Sequence, residues 1–196
     1  MIIASVLALL SGLVAPPLAA DAARPAPDSA IVVPQGDPHD FDFEFGAWTV
    51  HIRRLLHPLT GSTSWVDMDG SSVVRRVWQG RANLGELEVA GGGVRLEGMS
   101  LRVYDPVARH WNIHWTNAND GLVGPAMQGG FANGRGLFYD HEQLGERTIA
   151  VRFIFSDITA TTFRLEQAFS PDEGRTWETN WIATFDRVPA TKGHRR

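Results

Sequence analysis

The chain has 196 residues, 43% of them hydrophobic and 20% charged, with a formal net charge of −4. That length and balance give one globular domain with its own core and exclude a disordered chain. A slightly acidic chain lacks the basic field that gathers nucleic acid. The absence of cysteine excludes disulfides, thiolate metal sites, thiol nucleophiles and the lipid-modified cysteine of a bacterial lipoprotein.

Met1 to Ala15 is an apolar run, followed by Pro16-Pro17 and a small-residue stretch in which Ala20-Asp21-Ala22 has the A-x-A pattern of a cleavage site. Residues 1–22 are therefore read as a signal peptide, and the mature protein is expected to be periplasmic or secreted, with no stable membrane anchor after cleavage. No Lys or Arg precedes the run, which departs from the usual leader and leaves the true start open. Residues 23–38 are rich in Pro, Ala and Asp without periodicity and are expected to form a flexible linker. The folded domain is expected over residues 39–189, with a disordered tail over 190–196.

Beyond His39, short apolar segments alternate with turn residues, and no stretch holds a helical period for about ten residues. Phe41 to Phe45 fits one helical turn or the start of a strand. Strands are expected near 48–55, 64–69, 73–79, 96–104, 111–117, 124–132, 136–142, 148–156, 161–169 and 176–188. Asp69-Gly70, Asp105-Pro106, Asn133-Gly134 and Asp172-Glu173-Gly174 supply tight turns between them, and Gly91-Gly92-Gly93 reads as a flexible turn. Sequential strands joined this way form a meander, and a meander of about eight to ten strands removes its edges by closing. The expected fold is all-β: a single antiparallel up-and-down barrel with room for packed side chains or one small ligand.

Alternation assigns the inner face. Ile149, Val151, Phe153 and Phe155 share one side of their strand, and Phe163, Leu165 and Phe169 share one side of theirs. Met99, Leu101 and Val103 alternate with Ser100, Arg102 and Tyr104, so the apolar set is placed inside. Trp48, Trp111, Trp115 and Trp181 are expected to line or floor the interior.

Gly46-Ala47-Trp48 matches the G-x-W that opens the first barrel strand of lipocalins and their relatives, and the chain resembles that superfamily. The resemblance implies an arginine on the last strand packed over the tryptophan ring, for which Arg187 is in place. More narrowly, His39 to Trp48, with Arg53-Arg54-Leu55 after it, resembles an uncharacterised bacterial lipocalin-like (calycin superfamily) family, over a span reaching about Val188. Nitrobindin-like haem barrels and fatty-acid-binding proteins are more distant likenesses. These likenesses imply a fold more than an activity. Ser170-Pro171-Asp172-Glu173-Gly174-Arg175-Thr176-Trp177 fits the Asp-box S-x-D-x-G-x-T-W, read as a stapled hairpin turn rather than a sugar or metal site.

His110 and His114 would share a metal on a helix, but on a strand they stand roughly 13 Å apart. His141-Glu142 lacks the second histidine of H-E-x-x-H. A single histidine, His114 or His141, could ligate haem, although the alternation about His114 turns it outward. No G-x-S-x-G elbow, P-loop or dinucleotide-binding glycine pattern is present. Asn117 to Gly121 is a polar loop that turns the chain or lines a cavity mouth. The first reading is thus an exported barrel that holds a small hydrophobic ligand, with Trp48, Trp115, Phe153 and Trp181 around the cavity and Asn117, Gln167 and Arg187 as its inward polar groups. No metal and no cofactor are expected, and a homodimer is left open. The alternatives are an isomerase or hydrolase of a lipophilic metabolite with a His or Glu at the mouth, a haem-binding nitrobindin-like barrel, and a wholly packed barrel with an outer interaction surface.

Overall fold

The computed structural model describes residues 31–119 and 121–189. The expected signal peptide and C-terminal tail lie outside the described residues. Ten strands follow one another: β1 (Gly46–Leu55), β2 (Trp65–Val77), β3 (Ala82–Gly91), β4 (Val94–Asp105), β5 (His110–Asn117), β6 (Met127–Ala132), β7 (Arg135–Leu144), β8 (Arg147–Ser156), β9 (Thr162–Ser170) and β10 (Glu178–Arg187). Each pairs antiparallel with its chain neighbours, and β1 pairs with β10, so the meander closes into a barrel without edges.

Several local expectations shift. The two strands expected over 64–69 and 73–79 are one strand, β2, and Asp69-Gly70 lies in its middle rather than at a turn. Gly70 is needed there because a Cβ would stand 1.9 Å from the Glu88 carbonyl oxygen. β3 escapes the alternation test: its inward positions include Asn83 and Gly85, while Leu84 and Ala90 face outward with Glu86 and Glu88. The Asn133-Gly134 turn does join β6 to β7, with φ of 53° and 73°.

One end of the barrel is closed by the chain that enters it. Residues 38–41 turn, and Asp42–Glu44 adds a single turn of 3-10 helix. This drives the Phe41 ring among Trp111, Phe131 and Phe155, with centroids 5.0, 5.0 and 5.4 Å away in edge-to-face contact. Trp48 stands fully buried beside Phe163, and Phe163 stacks on Phe185 at 4.1 Å. Residues 36–38, expected within a linker, are tied to this end. Gly36 N donates to the Arg109 carbonyl, and Tyr104 Oη and Trp111 Nε1 donate to the Gly36 and Asp37 carbonyls.

Candidate functional site

Above the aromatic layer the inward side chains no longer meet across the axis, and a cavity of about 400 Å³ opens toward the other end of the barrel. A row of inward residues runs round the wall in register: Arg54 faces Trp181, Trp181 faces Gln167, and Gln167 faces Phe153. A bulge between Thr179 and Trp181 inserts Asn180, whose Oδ1 accepts a 2.8 Å hydrogen bond from Gln167 Nε2 and holds that amide in place. On the opposite wall the Trp115 indole covers Gly98, where a Cβ would stand 2.1 Å from the ring. Asn117 closes the row at the end of β5, and its carbonyl and side chain also begin the loop that follows.

Of the residues singled out from the sequence, Trp115, Asn117, Phe153, Gln167 and Trp181 are brought together around this cavity. Trp48 and Arg187 are not. They form the closed end: the Arg187 guanidinium lies 4.1 Å from the Trp48 ring centroid and donates to the carbonyls of Phe43, Phe45 and Ala160. Arg187 is committed to those acceptors, so it is a clamp on the entering chain rather than an inward polar group of the cavity.

The face assigned to β4 is reversed. Ser100 and Arg102 are buried and line the cavity, while Met99 and Leu101 point outward at 37% and 40% exposure. A buried cation is tolerated because Glu44, on the 3-10 turn, meets it. Arg102 Nη1 and Nη2 donate to Glu44 Oε2 and Oε1 at 2.6 and 3.1 Å, and Nη1 also reaches Asn83 Oδ1 at 3.0 Å. Burial pushes the Glu44 carboxyl above the usual carboxylate range, against the pull of Arg102. The interior is therefore less uniformly apolar than its aromatic strands imply.

Sequence reasoning missed Glu44, Arg54, Ser72, Ser100, Arg102 and Glu142, all of which line the cavity. Glu142 stands on the inward side of β7 near the mouth. The side chain is exposed at the rim, yet partial desolvation raises its carboxyl pKa, and Asp140 two residues away adds to the rise. Asp140, also inward by register, is raised chiefly by burial, and its Oδ2 is buried without a hydrogen-bond partner. The wall beside the mouth thus carries two neighbouring carboxyls, both shifted toward the protonated form.

Neither histidine considered for haem is among the lining residues. His114 lies on the outer side of β5, with Nδ1 3.2 Å from the Gly124 carbonyl, and His141 Nε2 lies 3.0 Å from Glu173 Oε2 on the outer surface. The Asp-box forms a staple. Asp172 Oδ1 accepts from Thr176 N and Ser170 Oγ at 2.8 Å, and Trp177 packs beneath Arg152 at 4.3 Å. Those bonds to Thr176 and Ser170 hold the Asp172 carboxyl below its ordinary range.

No protein-family model matches the chain, and no curated protein matches it. Among solved structures it is similar to the S-type phycobiliprotein lyase CPES from Guillardia theta, with a TM-score of 0.52 and 9% identity over 76% of this chain and 91% of that one. The likeness is one of fold alone, the closed antiparallel barrel of this chain. At that identity the likeness concerns the path of the backbone and extends to no side chain of the cavity.

Proposed function

We propose that this protein is a carrier that holds one small, largely apolar molecule inside its barrel, and that it works in the periplasm or outside the cell. The observation that carries the reading is the cavity itself: about 400 Å³, walled by Trp115, Phe153, Leu165, Phe169 and Trp181 and open at one end. That volume lies within the range of small-molecule sites, and a concave apolar wall with a few polar groups is their usual chemistry. The similarity in fold to a lyase that serves phycobiliproteins agrees with a barrel used around a small molecule. The export half of the reading rests on the apolar run Met1 to Ala15 and the Ala20-Asp21-Ala22 pattern.

The direct test is titration of the purified barrel with N-phenylnaphthylamine, a neutral dye that brightens in apolar surroundings. Saturable binding of one dye per chain, weakened by Trp181→Ala, supports a carrier. Absence of saturable binding by the folded protein overturns it. Fractionation of cells expressing the full chain tests the location, and a mature product confined to the cytoplasm overturns export.

Glu142 favours a second reading. A carboxyl of raised pKa at the rim of an apolar cavity is placed to donate a proton to a bound lipophilic substrate, as an isomerase or hydrolase requires. Retention of a ligand unchanged after long incubation favours the carrier. Its conversion, lost in Glu142→Gln, favours the enzyme.

A further inference from the structure

We infer that the deep end of the cavity is a subsite for a neutral hydrogen-bonding group, a hydroxyl or a carbonyl, at the leading end of an otherwise apolar ligand. This rests on the carrier reading and gives the ligand a polarity and a direction.

Three features of the cavity floor lead there. First, Ser72 and Ser100 are only 7% and 6% exposed, and both line the cavity. Neither hydroxyl bonds to another described residue, and neither oxygen is among the sealed-off polar atoms of the interior, so both open onto the chamber. A serine facing the chamber adds no protein hydrogen bond to the fold, so its hydroxyl is available to a molecule held there. Second, the wall beside Ser100 carries a position with no side chain. Gly85 faces inward, in register with Val74 and Ser100. A Cβ there would stand 2.8 Å from Ser100 Oγ and 3.7 Å from Arg102 Nη1. The missing side chain leaves a notch at which the Ser100 hydroxyl and the guanidinium edge converge.

Third, the charges at the floor are already matched. Arg102 is bound by both oxygens of Glu44 and by Asn83, and its Nε is buried without a partner. A carboxylate ligand arriving head first would lie beside Glu44 with no uncommitted cation at the floor to offset the repulsion. A cationic head would meet Arg102 in the same way. In a medium of low dielectric either arrangement is costly, whereas a hydroxyl or carbonyl can use the serines without disturbing the pair. The floor therefore selects neutral polar ends and turns away ionised ones, and an ionised group on the ligand is left at the mouth.

The test uses displacement of N-phenylnaphthylamine by three ligands of one shape: phenylbutanol, its isostere pentylbenzene, and phenylbutanoate at a pH where it is ionised. In the native protein, phenylbutanol is expected to bind more tightly than phenylbutanoate. Its affinity relative to pentylbenzene is expected to fall about tenfold when Ser72→Ala and Ser100→Ala are combined, the loss of two ordinary hydrogen bonds. Gly85→Ala keeps both hydroxyls and fills the notch, so the same ratio should fall in a protein with an intact serine pair. Dye affinity and melting temperature verify that each variant is folded with its chamber open.

An alcohol-to-hydrocarbon ratio unchanged in both variants overturns the subsite while the carrier reading stands, and so does tighter binding of phenylbutanoate than of phenylbutanol. Failure of the native protein to bind the dye overturns the carrier reading and the subsite with it.

Discussion

The Glu44 carboxylate and the Arg102 guanidinium meet through two hydrogen bonds, at 2.6 and 3.1 Å, with side chains only 3% and 8% exposed. They join the 3-10 turn that plugs the barrel to the wall strand β4 across 58 residues of sequence. Removing one partner of such a pair strands the other charge in a medium that solvates it poorly. Glu44→Ala and Arg102→Ala are each expected to cost about 3–5 kcal/mol. Glu44→Leu combined with Arg102→Met should cost less than either single change, because no orphaned charge remains. Urea unfolding of the four proteins measures this. Single variants within about 1 kcal/mol of native would mean that the plug is held by its aromatic packing alone.

Arg187 and Trp181 lie on the same strand and the same face, yet the structure gives them different work. Arg187→Ala removes three hydrogen bonds to carbonyls and a cation lying over Trp48. It is expected to lower stability by about 2–4 kcal/mol and to leave dye affinity within about threefold of native. Trp181→Ala strips one side of the cavity wall. It should weaken dye binding by about tenfold, the scale set by the apolar surface that the indole offers a ligand. Denaturant midpoints and dye titrations on the two variants should therefore rank them in opposite orders.

The all-β meander was legible because most strands carry their own signal, as in Ile149, Val151, Phe153 and Phe155 on one side of β8. The closed end was legible because the Gly46-Ala47-Trp48 pattern and Arg187 together called for a cation over an indole, and Arg187 does lie over Trp48. Phe153 lies on the inward side that alternation gives β8, and Gln167 shares the side of Leu165 and Phe169 on β9, whereas Trp115, Trp181 and the loop-edge Asn117 stand out by residue type rather than by a periodic signal. β3 was illegible because its inward side begins with Asn83 and Gly85, which have no hydrophobicity to read. β4 was misread for a stronger reason: its polar residues face inward and its apolar ones outward. That inversion is stable only because Glu44, far away in the chain, reaches Arg102, and alternation within one strand contains no trace of such a partner.

The inversion of β4 is itself testable. Leu101 is 40% exposed on the outer face, between Leu84 and His114 in register. Leu101→Lys keeps its aliphatic stem against the neighbouring strands and carries its charge into water. The expected change in stability is within about 0.5 kcal/mol, the range of ordinary surface substitutions. A loss of several kcal/mol in chemical denaturation would restore Leu101 to the interior.

Asp140 predicts how stability responds to pH. Burial raises its carboxyl above the ordinary value of 3.8, and its Oδ2 lacks a partner. The folded protein therefore holds this proton more tightly than the unfolded chain does, so the folded state binds more protons between the two pKa values. Stability from that proton is fully present below the unfolded value and is lost as pH rises through the folded one. Asp140→Asn places a neutral group of the same shape on the wall. Its Oδ1 can still accept the 2.7 Å hydrogen bond that His141 N makes to the native residue. The variant should melt higher than the native protein near neutrality, and the difference should shrink as pH is lowered toward the ordinary aspartate value of 3.8 and the native carboxyl takes up its proton. Replacing a charge beside Glu142 also removes the second cause of that residue's raised pKa, so Glu142 should titrate lower in the variant. Calorimetric melts of both proteins across this range decide the matter: equal melting temperatures at neutral pH, or an advantage that grows on acidification, would place the Asp140 carboxylate in a solvated, stabilising position.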